Sequence, residues 1–90
     1  MAREGMDVDA VEAIGRQLQG LADQIVSVQG QINGKVQQLP GLWDGKDAQV
    51  FVNQWWPEHQ KTLHAVAESV RGLGQSALNN ASEQRQVSSR

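Results

Sequence analysis

Proton transfer or metal binding in this chain would fall first to His59 and His64, with Glu58, Glu68 and Glu83 on the same segment. Their spacing supports neither. The histidines are five residues apart, which places them on different faces of a helix. Glu58-His59 lacks a second histidine four residues on, the step that lets two imidazoles share one zinc ion. On the apolar stripe described below, His59 reads as a satisfied interface histidine. A seryl nucleophile needs a base and an oxyanion pocket, and two helices offer no obvious pocket. There is no cysteine, which removes disulfides, thiolate metal sites and thiol nucleophiles. The expectation is a protein that is not an enzyme, with no cofactor and no metal. What stands out instead is Trp43-Asp44-Gly45, inside the short break that begins at Pro40-Gly41.

The elements that hold this feature must be built from 90 residues, enough for one small domain. The net charge is −2, and Lys and Arg are scattered, so no basic strip exists to track phosphates. Nucleic acid is not an expected partner. Residues 1 to 7 contain one arginine and no apolar run, unlike an ordinary signal peptide. No stretch approaches the roughly 20 apolar residues of a membrane span. Nor is any segment basic and apolar enough for stable membrane insertion.

Two apolar-periodic segments flank the break. In the first, Val11, Ile14, Leu18, Leu21, Ile25, Val28, Ile32 and Leu39 form a seam of steps of three and four, with Lys35 taking one stripe position. Asp7 or Asp9 can cap its start, and Pro40-Gly41 ends it. The spacing predicts helix one over about 8–38 and a turn over 39–46. Gly15, Gly20, Gly30 and Gly34 each weaken an isolated helix by about 1 kcal/mol relative to Ala, so packing must hold it. Gly20 reads as tolerated on an exposed face, and close approach of a partner helix stays open for the others.

In the second segment, Ala48, Val52, Trp55, Trp56, Leu63, Val66, Val70, Leu73 and Ala77 carry the stripe. Asp44 or Asp47 can cap it. Helix two is expected over about 47–82, with a polar, frayed tail over 83–90. Pro57 falls inside it. An interior proline costs about 3 kcal/mol, so a kink or a short helix running into a longer one is expected there. Adjacent Trp55 and Trp56 cannot share one face; with Phe51 both are expected in the core, one facing the hairpin partner and the other the dimer partner or the rim. Trp43 reads either as an aromatic packed under the loop or as a recognition surface at the tip, and Gly45 as a residue that supplies positive φ.

A short break between long helices makes them antiparallel neighbours. Their stripes are wider than one seam, widened by Ala22 and Val26 in one helix and by Phe51, Ala67 and Leu78 in the other. A lone hairpin would leave much of that area in water. The fold class is therefore all-α: an antiparallel helix-turn-helix hairpin that dimerises into a four-helix bundle. The expected dimer or hairpin core is Leu18, Leu21, Ile25, Val28, Ile32, Val52, Trp55, Trp56, Leu63, Val66, Val70 and Leu73.

The central Trp43-x-Gly45, the following Ala48 and Phe51, and Leu73-Gly74 with Ala77-Leu78 together resemble the WXG family of small helical-hairpin proteins, of early-secreted-antigen type. The resemblance runs from about Val8 to Glu83. It implies a substrate or co-secreted partner of bacterial type VII secretion, or an adaptor that delivers a larger toxin to the same machine. It implies export by a signal-peptide-independent route from the cytoplasm, driven by an FtsK-like ATPase. Trp43 and Gly45 would be the recognition elements. Family members are homodimers or pair with a sister protein, whose Tyr-x-x-x-Asp/Glu tail completes the export signal. This chain has no tyrosine, and Gln84 and Ser88 occupy that spacing. The departure favours a heterodimer, with the tail supplied by a sister subunit.

Overall fold

The structure, a computed structural model, describes residues 6–88. Among the described residues there are helices and the short segments that connect them, and no strand. The order is α1 (Val8–Val36), a 3-10 turn (Leu39–Gly41), α2 (Lys46–Val50), a π-turn (Phe51–Trp55) and α3 (Trp56–Ser88). The result is a helical hairpin.

Asp7 starts α1. Its Oδ1 accepts the Ala10 backbone N–H at 3.1 Å, satisfying one donor that the first turn leaves orphaned. The other candidate cap, Asp9, instead reaches Arg85 at 3.1 Å. Helix α1 ends at Val36, two residues before the expected stop, and Pro40 lies in the first turn of the 3-10 segment. Neither Asp44 nor Asp47 caps α2. Gly45 does so through its backbone alone, at φ 110° and ψ 178°. It is the one residue with positive φ among those described, a conformation that a Cβ penalises.

Pro57 produces neither a break nor an α-helical clash. The turn before it is widened: the Trp56 N–H bonds to the Phe51 carbonyl, five residues back. Pro57 thereby falls in the first turn of α3, where a missing N–H is tolerated. The expected end at 82 is also exceeded, because α3 continues to Ser88. The extra turns have a packing reason. Ala81 is buried, Gln84 is half-buried, and Arg85 reaches Asp9 and Glu12 on α1. Of the expected frayed tail, residues 89–90 lie outside the described residues, as do residues 1–5 of the segment read for a signal peptide.

The chain divides into two compact units. The terminal unit joins the chain up to Ala22 with the chain from Glu68 onward. Its helices are antiparallel and close. A Cβ on Gly15 would lie 3.0 Å from the Gly74 carbonyl oxygen, and one on Gly74 would lie 2.7 Å from that of Gly15. Leu78 packs over Gly15, and the Gln19 side-chain amide donates to Gln75 Oε1 at 3.2 Å.

The turn unit is Asp23–Ala67. Its core is Val36, Val52 and Trp56, with Leu39, Phe51 and Leu63 packed against it. Trp56 is 4% exposed, and its indole Nε1–H donates to Asn33 Oδ1 at 3.0 Å. That bond satisfies the polar atom that makes a buried tryptophan costly.

Candidate interaction face

The turn unit carries a row of stacked rings. Trp43 meets Phe51 with centroids 6.0 Å apart and planes tilted by 53°. Phe51 stacks on Trp55 at 4.8 Å and 17°, and Trp55 on His59 at 3.7 Å and 21°. Phe51, Trp55 and His59 are four residues apart, so one helix face lines them up. His59 Nδ1 lies 2.8 Å from the Trp55 carbonyl oxygen. A carbonyl only accepts, so Nδ1 carries the proton of that bond and the ring is fixed against the indole.

Beside the rings opens an apolar groove of about 340 Å³, lined chiefly by Ile32, Val36, Phe51, Trp55, His59 and Leu63. The expectation that two helices offer no pocket is corrected here. The hairpin seam closes on Val36 and Trp56 and leaves the neighbouring strip open. A second, shallower hollow of about 550 Å³ is lined by Gln29, Pro57, Gln60, Lys61, His64 and Ala65. Gln29 Oε1 is buried without a hydrogen-bond partner among the described residues. Also among the described residues, no group of His, Cys, Asp or Glu is placed to hold a metal, and no helix is long and apolar enough to cross a membrane.

The stripe read from the sequence divides in two. Within the single chain, Val52 and Trp56 are buried, and Leu18, Ile25, Leu63 and Val70 are half-buried. Leu21, Val28, Ile32, Trp55, Val66 and Leu73 are exposed. The hairpin seam on α1 instead recruits Gly15 and Ala22, which are buried. Of the three rings expected in the core, Trp56 is there and Phe51 is half-buried. Trp55 is 48% exposed, because one residue of helix turns it by about 100° from Trp56. Trp43 is 41% exposed with its ring tilted against Phe51, so loop packing and exposure coexist in one side chain. Gly45 is exposed, and a Cβ there would meet nothing within 4 Å.

Two contributors left no signal in the sequence. Asn33 as the partner of Trp56 has no periodic signature, and Gly74 as the partner of Gly15 needed the pairing of helices to be known; at Gly15 itself the close approach left open by the sequence is the one observed.

The fold and its open strip define a class: a helical hairpin with large apolar side chains left in water. Compared with protein-family models, curated proteins and solved structures, the chain matches none.

Proposed function

We propose that this protein is a type VII secretion substrate or co-secreted partner, which acts by protein–protein association as half of a four-helix bundle. The observation that carries the reading is the exposed apolar strip. Ile14, Leu21 and Val28 recur every seven residues along α1, as do Val66 and Leu73 along α3, and all five are exposed. A seven-residue repeat in water is the pattern that a second pair of helices buries. The resemblance of Trp43-Asp44-Gly45 and its surroundings to the WXG family supplies the secretion part. In that role Trp43 and Gly45 are recognition elements for the FtsK-like ATPase, and the protein is cytoplasmic before export.

The test is export of the chain from a bacterium carrying a type VII machine. Trp43→Ala removes a half-exposed ring without opening the core, so it should leave helicity intact and reduce export. A folded Trp43→Ala protein that is exported like the parent would remove the recognition role.

A further inference from the structure

An aspartate or asparagine followed by glycine can react with its own backbone. The glycine nitrogen attacks the side-chain carbonyl carbon of the residue before it, and the missing Cβ leaves that approach unshielded. The chain holds two such pairs, Asn33-Gly34 and Asp44-Gly45, both in the turn unit. The fold treats them in opposite ways.

Asn33-Gly34 lies in the last turn of α1. A helix holds each backbone N–H on the carbonyl four residues back, so the Gly34 nitrogen is engaged and fixed in direction. The Asn33 side chain is engaged as well. Its Oδ1 accepts the Trp56 indole N–H at 3.0 Å and the Gln37 side-chain amide at 3.3 Å. Ring closure here requires the end of α1 to open and Trp56 to lose its partner.

Asp44-Gly45 lies between the 3-10 turn and α2, outside every helix, and both residues are exposed. Among the described residues the Asp44 carboxylate forms no ion pair or hydrogen bond, and the Gly45 N–H donates to no carbonyl. A Cβ on Gly45 would meet nothing within 4 Å, so no neighbour bars the nitrogen from the carboxyl carbon.

We propose that Asp44 is a self-modifying site, where the chain isomerises to isoaspartate. With the Asp44 carboxyl protonated, the Gly45 nitrogen bonds to its Cγ. The carboxyl hydroxyl leaves as water with the nitrogen's proton, and a five-membered imide closes. Water then opens the imide at either carbonyl. Opening at Cγ restores Asp44. Opening at the backbone carbonyl carbon breaks the original peptide bond, and the chain then runs through Cβ and Cγ. The water lost is regained, and no other reactant is consumed. One methylene is added to the backbone between Trp43 and Gly45, and the former backbone carbonyl becomes a carboxylate.

The extra atom falls beside Trp43, whose ring meets Phe51, and away from the core of Val36, Val52 and Trp56. The modified chain should keep its helices while Trp43 changes surroundings. The site stands on the geometry of this loop and does not depend on the secretion reading.

The full chain is incubated in H₂¹⁸O at mildly acidic pH, folded and, in parallel, unfolded in urea, then digested and read by mass spectrometry. Each passage through the imide leaves one ¹⁸O, and isoaspartate gives its own fragment ions. Label and isoaspartate are expected at Asp44 in the folded chain, at a rate within about threefold of the unfolded one, whereas folding should slow the reaction at Asn33 by at least about tenfold. Asp44→Glu keeps the charge but could close only a six-membered ring, and should stay unlabelled. Asp44→Asn should lose ammonia in the same loop and give the same isoaspartate. A folded chain that takes no label at Asp44 while the unfolded chain does overturns the assignment. So does equal protection of Asn33 and Asp44, or label near the turn that persists in Asp44→Glu.

Discussion

Gly74 and Gly20 are both helical glycines, and their surroundings give them opposite signs. A Cβ on Gly74 would stand 2.7 Å from a backbone oxygen of α1, which cannot move without the helix, whereas one on Gly20 would meet nothing within 4 Å. Gly74→Ala should therefore destabilise by about 1–3 kcal/mol through overpacking. Gly20→Ala should stabilise by up to about 1 kcal/mol through helix propensity. Urea titration of both variants checks the pair, and equal shifts would mean that α1 and α3 do not approach through glycine. Asn33 has a comparable hidden role. Its side-chain oxygen takes the indole proton of buried Trp56, so Asn33→Leu strands a buried donor and should cost about 1–3 kcal/mol. Asn33→Asp keeps an acceptor in place and should lose less in the same titration. The ion pairs of Arg85 are open to water, Asp9 above all, and contribute little by comparison.

Among the elements, the π-turn over Phe51–Trp55 explains how proline is accommodated in an otherwise continuous helical run. The widened turn ends where α3 begins, so the lost hydrogen bond and the clash with an earlier carbonyl are largely avoided. Pro57→Ala should change stability by less than about 1 kcal/mol, far below the roughly 3 kcal/mol of a proline in a helix interior. Thermal melts followed at 222 nm give the number. A large gain in stability would show that the π-turn holds strain. The same turn feeds the Phe51–Trp55–His59 stack, so the near-ultraviolet dichroism of the tryptophans should change in Pro57→Ala even where the melting temperature does not. At the other end of the hairpin, Asp7→Ala should cost about 1 kcal/mol by removing the cap of α1.

For the molecule as a whole, the separation of a closed seam from an open strip predicts two kinds of variant. Ala67 is 0% exposed and Leu73 is 60% exposed, although both lie on the apolar side of α3. Ala67→Asp places an unpaired carboxylate inside the hairpin and should unfold it. Leu73→Asp meets water in the single chain, so the helices should persist. Its charge is intolerable only where a second pair of helices covers the strip, so association should be lost. Circular dichroism and light scattering on the two variants separate these outcomes. A Leu73→Asp protein that remains dimeric would place the partner on another face.

Much of this was legible along the chain. The steps of three and four on both sides of Pro40-Gly41 determined two helices and a turn. Gly45 was marked for positive φ by its place in the break. Asp7 was one of two written caps, but only the geometry chose it over Asp9, which the last turns of α3 draw away through Arg85. Periodicity reports that a side of a helix is apolar, not what covers it. Leu18 and Leu21 therefore look alike in sequence, while the hairpin half-buries one and exposes the other. The covered positions beside Leu18 are Gly15 and Ala22, whose small size contributes little to an apolar pattern yet lets the backbones meet. Trp55 and Trp56 were separable only in principle, since which one turned inward depended on the π-turn and on Asn33 standing opposite. Local chemistry determined the elements because caps, breakers and repeats act over a few residues. The tertiary structure decided which apolar residues are core and which are surface, because that choice depends on atoms from the other helix.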